Sequence, residues 1–126
     1  TVFAAAQRHG AAIPALAVTD TLKQVDQQRI TATVSRQGLF QAQTPQVFRR
    51  DWLVQAYAQR SQISEPITDD AQLVEAAGHP VTIVPGSPLN FKITTPEDLE
   101  LAEAVIKLRA TKKSASRLGF HDEAQW

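Results

Sequence analysis

The run Ala11 to Val18 is apolar throughout apart from the break at Pro14. It has the length of a strand and lacks polar–apolar alternation, so it suits a strand buried on both faces, inside a sheet. The segments around it alternate in type. Val2 to His9 reads as the last turns of an amphipathic helix ending at Gly10, a residue suited to the left-handed position after a helix. Thr21 to Val25 and Ile30 to Val34 are β-rich and joined by the polar Asp26-Gln27-Gln28-Arg29, which predicts a hairpin with a four-residue loop. Leu39 to Gln43 follows as a short strand that Thr44-Pro45 breaks. A helix from about Arg49 to Arg60 then places Trp52, Leu53, Ala56 and Tyr57 on a core-facing side. Thr68 is expected to cap a helix with Asp69 and Asp70 in its first turn, and Leu73, Val74, Ala76 and Ala77 carry that helix to Gly78. Val81 to Val84 and Phe91 to Ile93 read as strands, and the last helix runs from Pro96 to about Arg109. Strands alternating with helices predict an α/β layered sheet. The hairpin carries few large apolar residues, so it is expected to leave the domain and pair with another copy of the chain.

With 126 residues, 43% of them hydrophobic and 21% charged, the chain can build one core, as a domain or part of one. Thirteen basic residues balance thirteen acidic ones, which argues against nucleic acid or anionic lipid as partners; any phosphate must be met by a few placed cations. No apolar run is long enough to span a bilayer, and Thr1-Val2-Phe3-Ala4-Ala5-Ala6 has no basic leader, so a cytoplasmic setting is expected. Without cysteine there are no disulfides or thiolate metal sites. The chain has no methionine and opens inside a helical pattern, so a fragment of a longer protein is expected. Residues 110–126, with Lys112, Lys113, Ser114 and Ser116, read as a flexible tail.

The junction Asn90 to Leu99 ends a strand, opens a helix and places Lys92 at the join. Thr95 suits an N-cap, Pro96 the first helical position, and Glu97 and Asp98 the positive helix end. Those carboxylates already occupy that end, so Lys92 is the better candidate for an anion; a solvated lysine is the alternative. His9, His79 and His121 are scattered, and no nucleophile elbow, Walker sequence or complete dinucleotide fingerprint is present. Asp69 and Asp70 are adjacent at a helix start and read as caps before metal ligands. What remains is a set of hydroxyls and cations just outside strand ends: Thr21, Arg36, Thr44, Thr68 and Lys92. Such groups suit a phosphorylated polyol, because phosphate needs donors and charge while alcohols need small polar partners.

Taken together and in order, Val18 to Lys23, Thr33 to Phe40, Gln43 to Phe48, Ile67 to Ala71, Gly78 to Val81 and Asn90 to Leu99 closely resemble the carboxyl-terminal half of 2-C-methyl-D-erythritol 4-phosphate cytidylyltransferases. The resemblance covers residues 1 to about 109. It implies a Rossmann-like nucleotidyltransferase sheet that joins CTP to methylerythritol 4-phosphate and releases pyrophosphate, in non-mevalonate isoprenoid biosynthesis. It further implies that Thr21 and Arg36 lie on a β-arm, residues 20–36, that crosses to the other subunit of a homodimer and grips the substrate phosphate. Thr44, Thr68 and Lys92 would line the substrate site of their own subunit, with Lys92 as the catalytic cation beside the reacting phosphate. Ser35 stands where relatives often have an acid, which weakens one arm contact and leaves Arg36 in place. The family's glycine-rich loop, its cytosine-recognising segment and the acid that holds Mg²⁺ are absent from the sequence, so these 126 residues are not expected to bind CTP productively or to catalyse alone. A plastid setting is the alternative to the cytoplasm if the source is eukaryotic. The alternatives are a ribitol 5-phosphate cytidylyltransferase, which shares the fold and differs in the polyol site, and a non-catalytic dimerisation or phosphate-binding module.

Overall fold

The computed structural model describes residues 1–117. In chain order these form α1 (Val2–His9), β1 (Ala11–Ala17), β2 (Leu22–Asp26), β3 (Arg29–Val34), β4 (Phe40–Ala42), β5 (Val47–Phe48), α2 (Arg50–Ala58), a short 3₁₀ turn (Arg60–Gln62), α3 (Asp70–Ala76), β6 (Thr82–Pro85) and α4 (Pro96–Arg117). The apolar run is the interior strand it was expected to be, with Ala11 to Ala15 buried. On one edge of β1, β6 runs parallel from Ala12 opposite Thr82 to Ala15 opposite Pro85. On the other edge, β4 and β5 run antiparallel against its two ends.

Successive residues of a strand face opposite sides of the sheet. Ala11 accordingly packs with Ala56 of α2 and with Leu73 and Val74 of α3, while Ala12 packs with Ala5 and Ala6 of α1. Alanines at both faces let helices lie close on either side, which gives the three layers of an α/β fold. Gly10 makes the turn from α1 into β1 with φ 90°, and a Cβ built there would lie 2.3 Å from Cη2 of Trp52. Gly10→Ala therefore combines a strained backbone with a collision against a packed ring. We expect a cost of about 2–3 kcal/mol and a melting temperature lower by roughly 10 °C or more. Thermal unfolding followed by circular dichroism checks this; an unchanged midpoint would mean that Trp52 swings aside freely.

Several local expectations are corrected. The hairpin turns through two residues, not four: Asp26 pairs with Arg29, and Gln27 and Gln28 adopt φ of 44° and 66°. Such a turn normally announces itself by Asn-Gly or Asp-Gly, and two glutamines give no such signal. Thr68 does not cap α3; the cap is Asp69, whose carboxylate accepts from the Gln72 amide at 2.9 Å. Tyr57 is 46% exposed and outside the core, its hydroxyl donating to Asp70 Oδ1 at 2.5 Å. That bond, together with the charge of Asp70, raises the Tyr57 pKa above the ordinary phenol value.

The chain divides into two compact units, Thr1–Asn90 and a second that begins at Phe91. In the second, Phe91 to Ile93 forms no strand, because the backbone that follows is engaged by the helix cap and not by a ladder. Thr95 caps α4 as expected: its hydroxyl accepts from the Asp98 amide at 3.2 Å, and Asp98 Oδ2 accepts from the Thr95 amide at 3.1 Å. The same oxygen takes the Thr94 amide and hydroxyl, each at 3.0 Å. This reciprocal capping box holds the Asp98 carboxyl below the usual carboxylate range, the Thr94 amide being the largest cause. The helix then passes Arg109, its expected end, and continues to Arg117. Residues 110–117 contain no Gly or Pro, and Thr111 and Ser114 bond back to the Lys107 and Ala110 carbonyls at 3.1 Å without competing for the helix amides. The remaining residues of the expected tail, 118–126, lie outside the described residues.

Candidate substrate-binding site

Thr21 and Arg36 sit at the root of the β2–β3 ribbon, both exposed. The Arg36 guanidinium donates through Nη1 to the Thr19 carbonyl, so the residue leaving the ribbon is tied to the segment entering it. The ribbon forms a two-stranded sheet of its own, with every residue of β3 exposed. Lys23 Nζ donates to Thr33 Oγ1 at 2.6 Å, a cross-strand contact that holds the register near the root.

Thr44 follows β4 and joins Pro45 through a cis peptide bond; its side chain is exposed. The backbone around it is fastened on two sides. Gln43 Nε2 donates to the carbonyls of Ser87 (2.8 Å) and Asn90 (3.0 Å), its Oε1 accepts from the Ser87 amide (3.1 Å), and Asn90 Nδ2 donates to the Thr44 carbonyl (2.6 Å). On the other side, Gln46 Nε2 donates to Asp69 Oδ2 at 2.9 Å while its Oε1 accepts from the Ala71 amide at 3.2 Å. Thr68 directly precedes Asp69, and both its amide and its hydroxyl are directed to Gln72 Oε1, at 2.9 and 3.3 Å. Gln46 thus links the segment that carries Thr44 to the helix start that carries Thr68.

Lys92 belongs to the second unit, where it is exposed and two residues ahead of the Thr94 that joins the α4 cap. Among the described residues the one ion pair is Arg49 with Asp51, at 2.9 Å on the surface, and Lys92 pairs with no carboxylate among them. The candidate residues therefore form three groups: Thr21 with Arg36 at the ribbon root, Thr44 with Thr68 at linked loops, and Lys92 ahead of α4. All present small hydroxyls or fixed charge. Hydroxyls and fixed positive charge are suited to holding an anionic, hydroxylated ligand through hydrogen bonds and charge. Among the described residues no three His, Asp or Glu side chains converge as metal ligands. The glutamines and Asn90 that hold the loops escaped the reading of the sequence as functional groups. Their only signal is that they flank Thr44-Pro45 and open the Asn90 to Leu99 junction.

An alanine-rich strand covered by helices on both faces, with hydroxyl-bearing loops beside its sheet and a separate two-stranded ribbon, is an α/β architecture shared with solved cytidylyltransferases, a Rossmann-like nucleotidyltransferase fold. The 2-C-methyl-D-erythritol 4-phosphate cytidylyltransferase structure from Thermus thermophilus superposes on 84% of this chain and 52% of its own with a TM-score of 0.76 and 44% identity. Residues 1–108 match the family model described as IspD: 2-C-methyl-D-erythritol 4-phosphate cytidylyltransferase, and the chain belongs to that family. The cytidylyltransferase of that name from Acidobacterium capsulatum is 47% identical over 112 residues, covering 86% of this chain and 47% of the relative. A bifunctional enzyme IspD/IspF from Anaeromyxobacter dehalogenans is 48% identical over 110 residues, 84% of this chain and 28% of the relative. The chain thus spans about half the length of the first of these relatives and less of the second. The matches carry the family, and they do not carry the narrower assignment to its carboxyl-terminal half. No helix among the described residues is long and apolar enough to cross a membrane.

Proposed function

We propose that this chain supplies the polyol-phosphate side of a cytidylyltransferase that makes the CDP-polyol from CTP and 2-C-methyl-D-erythritol 4-phosphate, in non-mevalonate isoprenoid biosynthesis. The observation that carries the reading is family membership over residues 1–108 combined with the exposed, mutually fastened loops of Thr44 and Thr68. In this reaction a phosphate oxygen of the polyol phosphate attacks the α-phosphorus of CTP; the new P–O bond forms as the bond to the β-phosphate oxygen breaks and pyrophosphate leaves. The protein's part is alignment and positive charge, because both reactants are anions that repel. Thr44 and Thr68 meet the polyol and its phosphate, and Lys92 neutralises charge near the reacting phosphorus. Arg36 and Thr21 reach the substrate phosphate of a second copy through the exposed ribbon, whose Val25 (56% exposed) and Ile30 (64%) supply apolar surface for pairing.

The five glycines of the sequence form no phosphate-cradling run, and in this reading CTP is held by other parts of a polypeptide of full family length. A divalent cation, Mg²⁺ in this family, would neutralise the CTP phosphates. Among the described residues no three His, Asp or Glu side chains converge, and no residue of this chain is assigned to hold it. The test is an assay of the polypeptide at full family length with CTP and either methylerythritol 4-phosphate or ribitol 5-phosphate. Pyrophosphate release with the first is expected. Turnover of ribitol 5-phosphate alone would replace the substrate, and turnover of neither would leave a dimerisation or phosphate-binding module.

A further inference from the structure

Gln43 and Gln46 bracket Thr44-Pro45, and their side chains reach in different directions. Gln43 is half-buried and its amide satisfies three hydrogen bonds to the Ser87–Asn90 loop, two as donor and one as acceptor. An amide with both donor and acceptor roles filled is fixed in orientation. The path of that amide is open only because residue 86 is glycine: a Cβ there would stand 2.2 Å from Gln43 Oε1 and 3.1 Å from the Ala15 carbonyl. The loop returns the contact through Asn90 Nδ2, which holds the Thr44 carbonyl. Thr44 therefore has its own carbonyl and the preceding side chain fastened to one loop, while Gln46 fastens the following turn to Asp69 and Ala71. Its hydroxyl makes no hydrogen bond among the described residues.

We infer that Gln43, admitted by Gly86, is a positioning residue that sets where the Thr44 hydroxyl meets the polyol phosphate. The inference rests on the proposed cytidylyl transfer. Gln43 touches no substrate; it acts by fixing the backbone of its neighbour. A displacement of a ligand contact by a fraction of an ångström to one ångström costs tenfold to a hundredfold when alignment is the main catalytic device.

The test measures steady-state kinetics of the full-length polypeptide and its Gln43→Leu, Gly86→Ala and double variants. Gln43→Leu removes all three bonds at similar volume, and Gly86→Ala displaces the amide from the other side. Each single variant is expected to raise the KM for the polyol phosphate about tenfold, with the KM for CTP within about twofold of wild type. The double variant is expected to be no worse than the worse single one, because both break the same contact. Equal rises in both KM values, a purely additive double variant, or an unchanged polyol KM would overturn the inference. If Gln43→Leu does not fold, Gly86→Ala alone carries the same KM comparison. Amide exchange at Ser87 separates the two ideas if the wild type shows no cytidylyl transfer. That result sinks the functional reading, whereas Ser87 exchange that is no faster in Gln43→Leu than in wild type sinks the clamp itself.

Discussion

Lys92→Ala in the full-length polypeptide is expected to lower kcat by about 10²–10³-fold while the melting temperature stays within a few degrees. Lys92 is exposed, so its truncation leaves no cavity in the core. In the proposed cytidylyl transfer its value lies in charge. Two phosphate-bearing reactants must approach within bonding distance, and as the bond to pyrophosphate breaks, negative charge moves onto the departing oxygen. An ammonium fixed near that region is worth more in the transition state than in the ground state, so the loss should fall on kcat more than on KM. Lys92→Arg keeps the charge but spreads it over a planar group, and partial activity is expected of it. Wild-type turnover by Lys92→Ala would return the residue to an ordinary solvated lysine.

The fold was legible where one local signal had one physical meaning. A continuous apolar strand could only be interior, and Ala11 to Ala15 are buried. Thr95, Pro96 and Asp98 could hardly be anything other than a helix start, since cap hydroxyl, fixed φ and first-turn acid all favour it, and the capping box is formed. Legibility failed where several residues shared the same capacity. Thr68 and Asp69 can both cap a helix; Asp69 does so because its carboxylate is also held by Gln46, a partner 23 positions away that no local pattern reveals. Residues Val47 and Phe48 form β5, although two residues are too few for any periodicity. Phe91 to Ile93 has strand composition, yet pairing depends on an available edge, and composition does not encode that.

The candidate site divides along the same line. Thr44, Thr68 and Lys92 could be picked out because hydroxyls and cations at the ends of elements have few structural duties. Gln43 and Gln46 could not, since a glutamine amide is equally at home in water, and its function here comes from the loop it meets. The relation between Thr44 and Thr68 is a tertiary fact carried by Gln46, Asp69 and Ala71, three residues with no unusual composition. The sequence order of the six motifs, not any single motif, raised the hydroxyls above ordinary surface residues, and the match over residues 1–108 bears that family reading out.

Mixing inactive Arg36→Ala and Lys92→Ala polypeptides of full length is expected to restore about a quarter of wild-type activity. The figure follows from symmetry. If the ribbon of one copy serves the site of the other, a mixed dimer has one site with its own Lys92 and an intact Arg36 from the neighbour, and one site lacking both. Random exchange makes about half of all dimers mixed, and half of their sites work. If Arg36 instead serves the site of its own copy, every site in a mixed dimer lacks one residue and nothing is regained. The physical ground for the first outcome is the ribbon itself. Two strands with no third partner among the described residues, with Val25, Ile30 and Val34 between 40% and 64% exposed, are marginal in water and gain stability by pairing elsewhere. Arg36 follows β3 directly and is bonded to the Thr19 carbonyl at the ribbon's root, so it travels with the ribbon to wherever the ribbon docks. Size-exclusion chromatography must show dimers in every sample, and activity should rise from the sum of the two parents as subunits exchange. Exchanged mixed dimers that remain as inactive as their parents would confine Arg36 to its own subunit and leave the ribbon a purely structural contact.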